Sequence, residues 1–263
     1  MKNLQFNAYN LITIAIIAIV LSGCNEPKTS TLWLMGDSTM TDYANYGEDY
    51  MKERFPQTGW GQALPPYLGL DSLKKVRIIK ADSLVLMNKA RGGRSSRSFF
   101  EEGRWAEIYS QLKPGDWVII QFGHNDASES KGERYVSIPG YKEFLRLYVN
   151  QTREKGATPI LITSVCRNYP WTDRKLGSSH GDYPQAMKEV AAELSVYCID
   201  LTQISAEYFT ELGKDFVTEN YFMNIPAGKY EAYPDGLSDN THFQPAGAKA
   251  VAQLVFDALV NLQ

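Results

Sequence analysis

The chain has 263 residues, 44% of them hydrophobic, enough for one large α/β domain that buries a full core without disulfides or structural metal. A formal net charge of −3, with no run of Lys or Arg, argues against nucleic acid as a partner. The chain has no His-Glu-x-x-His pattern and no Cys/His cluster, so neither a metal nor another cofactor is expected.

In chain order, Lys2 precedes an apolar stretch over residues 11–21 that only Thr13 interrupts. A membrane-spanning helix needs about 20 apolar residues, so this shorter stretch reads as an export signal over residues 1–23. It ends in Leu21-Ser22-Gly23-Cys24, which resembles the bacterial lipobox. The resemblance implies cleavage before Cys24 and lipid on its sulfur. The expected product is an exported bacterial lipoprotein at the periplasm or cell surface, held to the membrane by that anchor alone. Residues 24–30 would be the lipidated tether and residues 31–263 the folded domain.

Residues 31–35, 84–88, 117–122, 158–163 and 196–199 are short, β-rich apolar runs bounded by turn residues, as buried parallel strands are. Apolar spacings of three and four predict helices over 141–155, 183–194, 201–212 and 245–262, the last with Pro245 in its first turn. Strands alternating with helices imply a parallel sheet covered on both faces. Residues 76–80 fit either an extra strand or a hairpin. Cys166 and Cys198 each lie beside a buried run and are expected as free thiols.

Ligands in such sheets bind at the carboxyl ends of the strands. Three runs lead there into glycine-containing polar turns: Gly36-Asp37-Ser38, Gly92-Gly93-Arg94 and Gly123-His124-Asn125. A serine hydroxyl needs a base, and the base needs an orienting group. Of the three histidines, His242 has a carboxylate, Asp239, three residues ahead on what reads as a loop. Asp42, Asp126 and Asp235 lack that spacing. A serine at a strand-to-helix turn also offers its own N–H to an oxyanion; Gly93 and the Asn125 amide could add two more donors.

Gly36-Asp37-Ser38, the second-turn glycine, Gly123-His124-Asn125-Asp126 and Asp239-x-x-His242 resemble, in order, the four sequence blocks of SGNH (GDSL) hydrolases. The resemblance implies a triad of Ser38, Asp239 and His242, with an oxyanion hole from Ser38, Gly93 and Asn125. It also implies a flavodoxin-like three-layer α/β/α sandwich with five parallel strands. Finer features are similar to the rhamnogalacturonan acetylesterases of carbohydrate esterase family 12. These are Gly-Asp-Ser-Thr at residues 36–39, Gly59-Trp60-Gly61-Gln62, the stretch from Asn88 to Ser98, and His180-Gly181-Asp182-Tyr183-Pro184. They imply a serine esterase, expected as a monomer, that removes O-acetyl groups from a plant cell-wall polysaccharide. Acetylated rhamnogalacturonan is the first choice and acetylated xylan the second.

Arg94 and Arg97, with Arg91 beside them, are expected near a sugar carboxylate, and Asp37 and His180 near the substrate. Tyr169, Trp171, Tyr221, Tyr230 and Tyr233 are aromatics that would either stack on sugar rings or pack in the core. Rival readings are a hydrolase of lipid or aryl esters, and a surface glycan-binding lipoprotein that has lost turnover.

Overall fold

The computed structural model describes residues 28–47 and 49–263, so the expected signal and the lipidation site at Cys24 lie outside the described residues. In it β1 (Thr29–Gly36) runs between β2 (Ser83–Asn88) and β3 (Trp117–Gln121), with β4 (Thr158–Ile162) beyond β3. A two-residue hairpin, β5 (Trp171–Thr172) with β6 (Lys175–Leu176), intervenes in the chain before β7 (Tyr197–Ile199) completes the sheet. The order is β2-β1-β3-β4-β7 and every pairing is parallel. This is the flavodoxin-like order, with the strand sequence reversing at β1.

Period-two alternation along the strands feeds two cores. Leu32, Leu34, Ile119 and Ile160 face one cluster; Trp33, Met35, Val118, Ile120 and Leu161 face the other. The second cluster is covered by α3 (Ser96–Glu101), α4 (Arg104–Gln111), α5 (Ile138–Glu154) and α6 (Tyr183–Leu194). The first is covered by α7 (Leu201–Leu212), α8 (Lys214–Asn220) and α9 (Pro245–Asn261). Two single-turn helices, α1 (Tyr50–Glu53) and α2 (Leu70–Leu73), lie in the connection from β1 to β2. The three-layer sandwich is therefore the expected one. Each fully buried aliphatic or aromatic side chain contributes about 1.5–3 kcal/mol to it.

Four local differences have physical causes. First, α5 starts at Ile138, ahead of the predicted 141, because Ser137 caps the Gly140 N–H and Pro139 suits the first turn. Second, residues 76–80 form turns, not a strand or hairpin. Val76 and Ile79 are both buried in the same cluster, which a three-residue spacing permits in a turn but not along a strand. Third, Asp239 and His242 lie not on a loop but on β9 (Leu237–Phe243), paired antiparallel with β8 (Phe222–Ile225). Fourth, α3 and α4 occupy a stretch for which no helix is predicted. Cys166 and Cys198 are free, as expected.

Candidate active site

The first three strands end within two residues of one another, Gly36 opposite Gln121 and Leu34 opposite Asn88. The turns that follow are tied together by the backbone: Arg91 N–H donates to Gly36 O at 3.0 Å. Behind the first turn, the Trp60 N–H donates to Thr39 O at 2.8 Å. A Cβ on Gly59 would lie 2.2 Å from Thr41 O and 2.6 Å from Thr41 N, so these backbones touch because Gly59 has no side chain. Gly59→Ala should therefore destabilise the fold by about 3 kcal/mol and lower Tm by roughly 6–12 °C, measured by thermal unfolding.

Asp37 anchors the turn from inside. It is 0% exposed, and its Oδ1 accepts from Thr39 N (2.9 Å) and Thr39 Oγ1 (2.8 Å). Its Oδ2 faces His124 Nδ1 at 3.2 Å, within ion-pair range but out of line for a hydrogen bond. Burial pushes the Asp37 carboxyl up, but His124 and the two Thr39 donors outweigh it and hold the group below its ordinary range. The Thr39 hydroxyl in turn accepts from Gln121 Nε2 at 2.8 Å, and Gln121 Oε1 accepts from Trp60 Nε1 at 3.0 Å. Thr39 and Trp60, two of the finer sequence features, thus belong to one buried hydrogen-bond chain that locks the Ser38 turn.

Ser38 sits on that turn at 9% exposure, with its carbonyl held by the Tyr43 hydroxyl at 3.1 Å. Of the two adjacent glycines, Gly92 donates its N–H to the Tyr46 hydroxyl at 3.1 Å. Gly93, at φ +79°, has no acceptor for its N–H among the described residues. Asn125 uses one amide hydrogen on Arg94 O at 2.9 Å and keeps the other.

The Asp239–His242 pair predicted from sequence comes from the β8–β9 hairpin. Its register shifts between Met223, opposite Asp239, and Phe222, opposite Phe243, so residues 240–242 bulge from the ladder. That bulge folds the chain back on itself. Asp239 Oδ1 accepts from Thr241 N (2.7 Å) and His242 N (3.1 Å), and Oδ2 meets His242 Nδ1 at 2.6 Å. Burial raises the Asp239 carboxyl, but His242 and the two backbone donors pull it below its usual range. His242, Asp239, Ser38 and Gly93 line one cavity of about 590 Å³. No hydrogen bond joins Ser38 to His242 among the described residues; such bonds commonly tighten only when substrate arrives.

A serine, an oriented imidazole and the Gly93 turn in one cavity suit acyl transfer; Asn125 lies behind that wall, bonded to Arg94 O. Residues 34–250 match the GDSL-like lipase/acylhydrolase family. The chain belongs to that family. It is a carboxylic ester hydrolase of the SGNH (GDSL) type. It is 38% identical over 232 residues to the probable rhamnogalacturonan acetylesterase YesY of Bacillus subtilis (strain 168), covering 88% of this chain and 93% of that protein. It is 33% identical over 235 residues to rhamnogalacturonan acetylesterase RhgT of the same organism, covering 89% and 91%. The crystal structure of YxiM from Bacillus subtilis superposes with a TM-score of 0.70 at 28% identity, over 89% of this chain and 56% of that longer one.

Around this SGNH centre, three of the predicted substrate contacts need correction. Asp37 and His180 are both 0% exposed and cannot meet a sugar. His180 instead packs edge-on against His124, ring centroids 4.3 Å apart. Arg97 turns away from the cavity, donating to Gly132 O at 2.7 Å and pairing with Glu101. Arg94 does reach the wall, but its guanidinium is held by Gly92 O and by Glu102, which also pairs with Arg104. Arg91 lies 3.6 Å over the Tyr46 ring. Of the candidate aromatics, Tyr233 alone lines the cavity. Two of the rival carboxylates have other duties. Asp42 caps a short helical turn, and Asp126 is buried, accepting from Ser96 and Gly123, its carboxyl raised by burial to about 7.

Sequence reasoning missed Tyr43, Tyr46, Gln57, Arg54 and Arg134 on the cavity wall. None lies in a recognisable motif. The only sequence signal for the first four is their clustering over residues 43–57, ahead of the Gly59-Trp60-Gly61-Gln62 motif.

Proposed function

We propose that the protein removes O-acetyl groups from acetylated rhamnogalacturonan, with Ser38, His242 and Asp239 as its catalytic triad. The observation that carries the mechanism is the 2.6 Å Asp239–His242 pair facing the cavity that Ser38 lines. Asp239 keeps the Nδ1 proton in place and leaves Nε2 to take the Ser38 hydroxyl proton. Ser38 Oγ bonds to the acetyl carbonyl carbon. The resulting oxyanion lies among the N–H groups of Ser38 and Gly93 and the free amide hydrogen of Asn125. The sugar–oxygen bond to that carbon breaks, and His242 returns the proton to the leaving sugar hydroxyl. Water, deprotonated by His242, then attacks the acetyl-serine carbonyl; the Ser38 Oγ–carbon bond breaks, acetate leaves and His242 returns the proton to Ser38 Oγ.

The glycan assignment is supported by two relatives named as rhamnogalacturonan acetylesterases and by a cavity wall that carries Arg54, Arg91 and Arg94. Guanidinium groups suit a polymer with carboxylate-bearing sugars. Acetate release from equally acetylated pectin, xylan and longer-chain aryl esters tests it. The reading expects pectin to be fastest and rate to fall steeply beyond acetyl. Xylan ahead of pectin, or a preference for long acyl chains, would replace the substrate; saturable glycan binding without acetate release would replace the activity.

We further propose that the enzyme is an exported lipoprotein acylated on Cys24, on the strength of Leu21-Ser22-Gly23-Cys24 at the end of the apolar stretch. Labelled fatty acid should enter the wild type and not Cys24→Ala; equal labelling would remove the anchor.

A further inference from the structure

Arg134 lies against two of the three groups assigned to the oxyanion hole, yet belongs to none of the sequence blocks. It comes from the loop after the Gly123–Asp126 turn, where its N–H donates to Lys131 O at 2.8 Å. A Cβ on Gly93 would lie 3.4 Å from Arg134 Cζ, 3.4 Å from Nη1 and 3.5 Å from Nη2. Three near-equal distances mean that the guanidinium lies flat across this glycine. A methyl at residue 93 would sit in ordinary van der Waals contact with it, so the two groups pack closely, and φ +79° disfavours any side chain there.

The same group reaches the second donor. Arg134 Nη1 donates to Asn125 Oδ1 at 3.5 Å, while Asn125 Nδ2 donates to Arg94 O at 2.9 Å. Flipping the amide would put NH₂ against a guanidinium and oxygen against a carbonyl, so both contacts fix one orientation. That orientation is the one that leaves an amide hydrogen for the substrate. Its one ion-pair partner among the described residues, Glu133 at 3.3 Å, is largely exposed.

We propose that Arg134 is a positioning residue for ester hydrolysis: it sets the Asn125 amide and braces the Gly93 turn so that both donors converge on the oxyanion. The inference rests on the reading of Ser38, Gly93 and Asn125 as catalytic machinery. It predicts an effect on the transition state of any acetyl ester, charged or not.

The test uses 4-nitrophenyl acetate, which has no carboxylate to bind, alongside acetylated pectin, with Arg134→Ala and Arg134→Lys. Outright loss of an oxyanion donor costs about 10²–10³ in kcat, so misplacing donors in Arg134→Ala should cost about 10- to 100-fold on both substrates. KM for 4-nitrophenyl acetate should change less than about twofold, since the interaction is realised in the transition state. Added guanidinium ion should restore part of the Arg134→Ala rate, which a folding defect would not allow. Arg134→Lys, which keeps the charge but not the planar fork, should lie between wild type and Arg134→Ala. An unchanged kcat on 4-nitrophenyl acetate, with KM raised on pectin alone, would make Arg134 a carboxylate clamp and overturn the proposal. Full retention of both activities would overturn it too. If Ser38→Ala kept the wild-type rate, the reading beneath it would fail first, and Arg134 with it.

Discussion

Ser38→Ala is expected to lower kcat for acetate release by a factor on the order of 10⁶ while the protein stays folded. No hydrogen bond among the described residues depends on Ser38 Oγ, so its removal leaves no orphaned partner. The turn is held by other atoms: the Asp37 carboxylate on Thr39, the Tyr43 hydroxyl on the Ser38 carbonyl, and the Trp60 N–H on Thr39 O. Stability should therefore change by less than about 1 kcal/mol. The Ser38 N–H, the Gly93 N–H and the Asn125 amide all survive the substitution. Glycan binding should accordingly persist at wild-type strength. Acetate release and the thermal midpoint, read on one preparation, check both halves. Substantial turnover by a folded Ser38→Ala protein would remove Ser38 from the chemistry.

Asp239→Asn is expected to cost about 10⁴ in kcat with the fold preserved. An asparagine oxygen can still accept from Thr241 N and His242 N, the contacts that Asp239 Oδ1 makes at 2.7 and 3.1 Å. Its NH₂ would then face His242 Nδ1, which must become the acceptor. The ring proton moves to Nε2, and Nε2 can no longer take a proton from Ser38. Geometry survives and chemistry does not.

A pH readout separates Asp239→Asn from a simple packing defect. The wild-type carboxyl is held below its ordinary range in the folded state, so the native protein binds fewer protons there than the unfolded chain. Its stabilising contribution is present above the unfolded carboxyl pKa and fades as pH falls through the lower folded value. Asp239→Asn should lose that acid-side slope and keep the rest of the stability profile. Equal acid sensitivity in both proteins would contradict the coupling.

Most of the sheet was legible because buried parallel strands are short apolar runs, and each ended in a turn that punctuates it. Helices α5, α6, α7 and α9 were legible from their period, give or take a cap: Ser137 and Pro139 moved the start of α5. Helices α3 and α4 escaped notice because they are short and because the α3 capping box is Ser95 with Ser98, not a serine with a glutamate. The β8–β9 hairpin escaped because Ser238, Asp239, Asn240 and Thr241 are turn-formers by composition. The i,i+3 spacing of Asp239 and His242 was visible, but the bulge that turns it into a 2.6 Å contact was not.

Burial was the quantity that sequence could not supply at the site. Asp37 neighbours Ser38 in the chain, yet its side chain points into the core beneath the turn, toward Thr39 and His124. Arg97 shares a cluster with Arg91 and Arg94, but from helix α3 its guanidinium goes to Gly132 O and Glu101 and is not on the cavity wall. Arg134 had no motif to announce it. Its significance lies in a contact with Gly93, 41 residues away in the numbering, that exists only once two loops meet.

The acetyl-enzyme is the most direct point of test. Wild-type protein turning over acetylated rhamnogalacturonan oligosaccharide would be quenched in acid, digested and mapped by mass spectrometry, with Ser38→Ala treated identically. The mechanism predicts an acetyl group on the peptide containing Ser38 in the wild type and on no peptide of the variant. Acetyl on a different residue, or acetate produced at the wild-type rate with no acetylated peptide at any time, would contradict it.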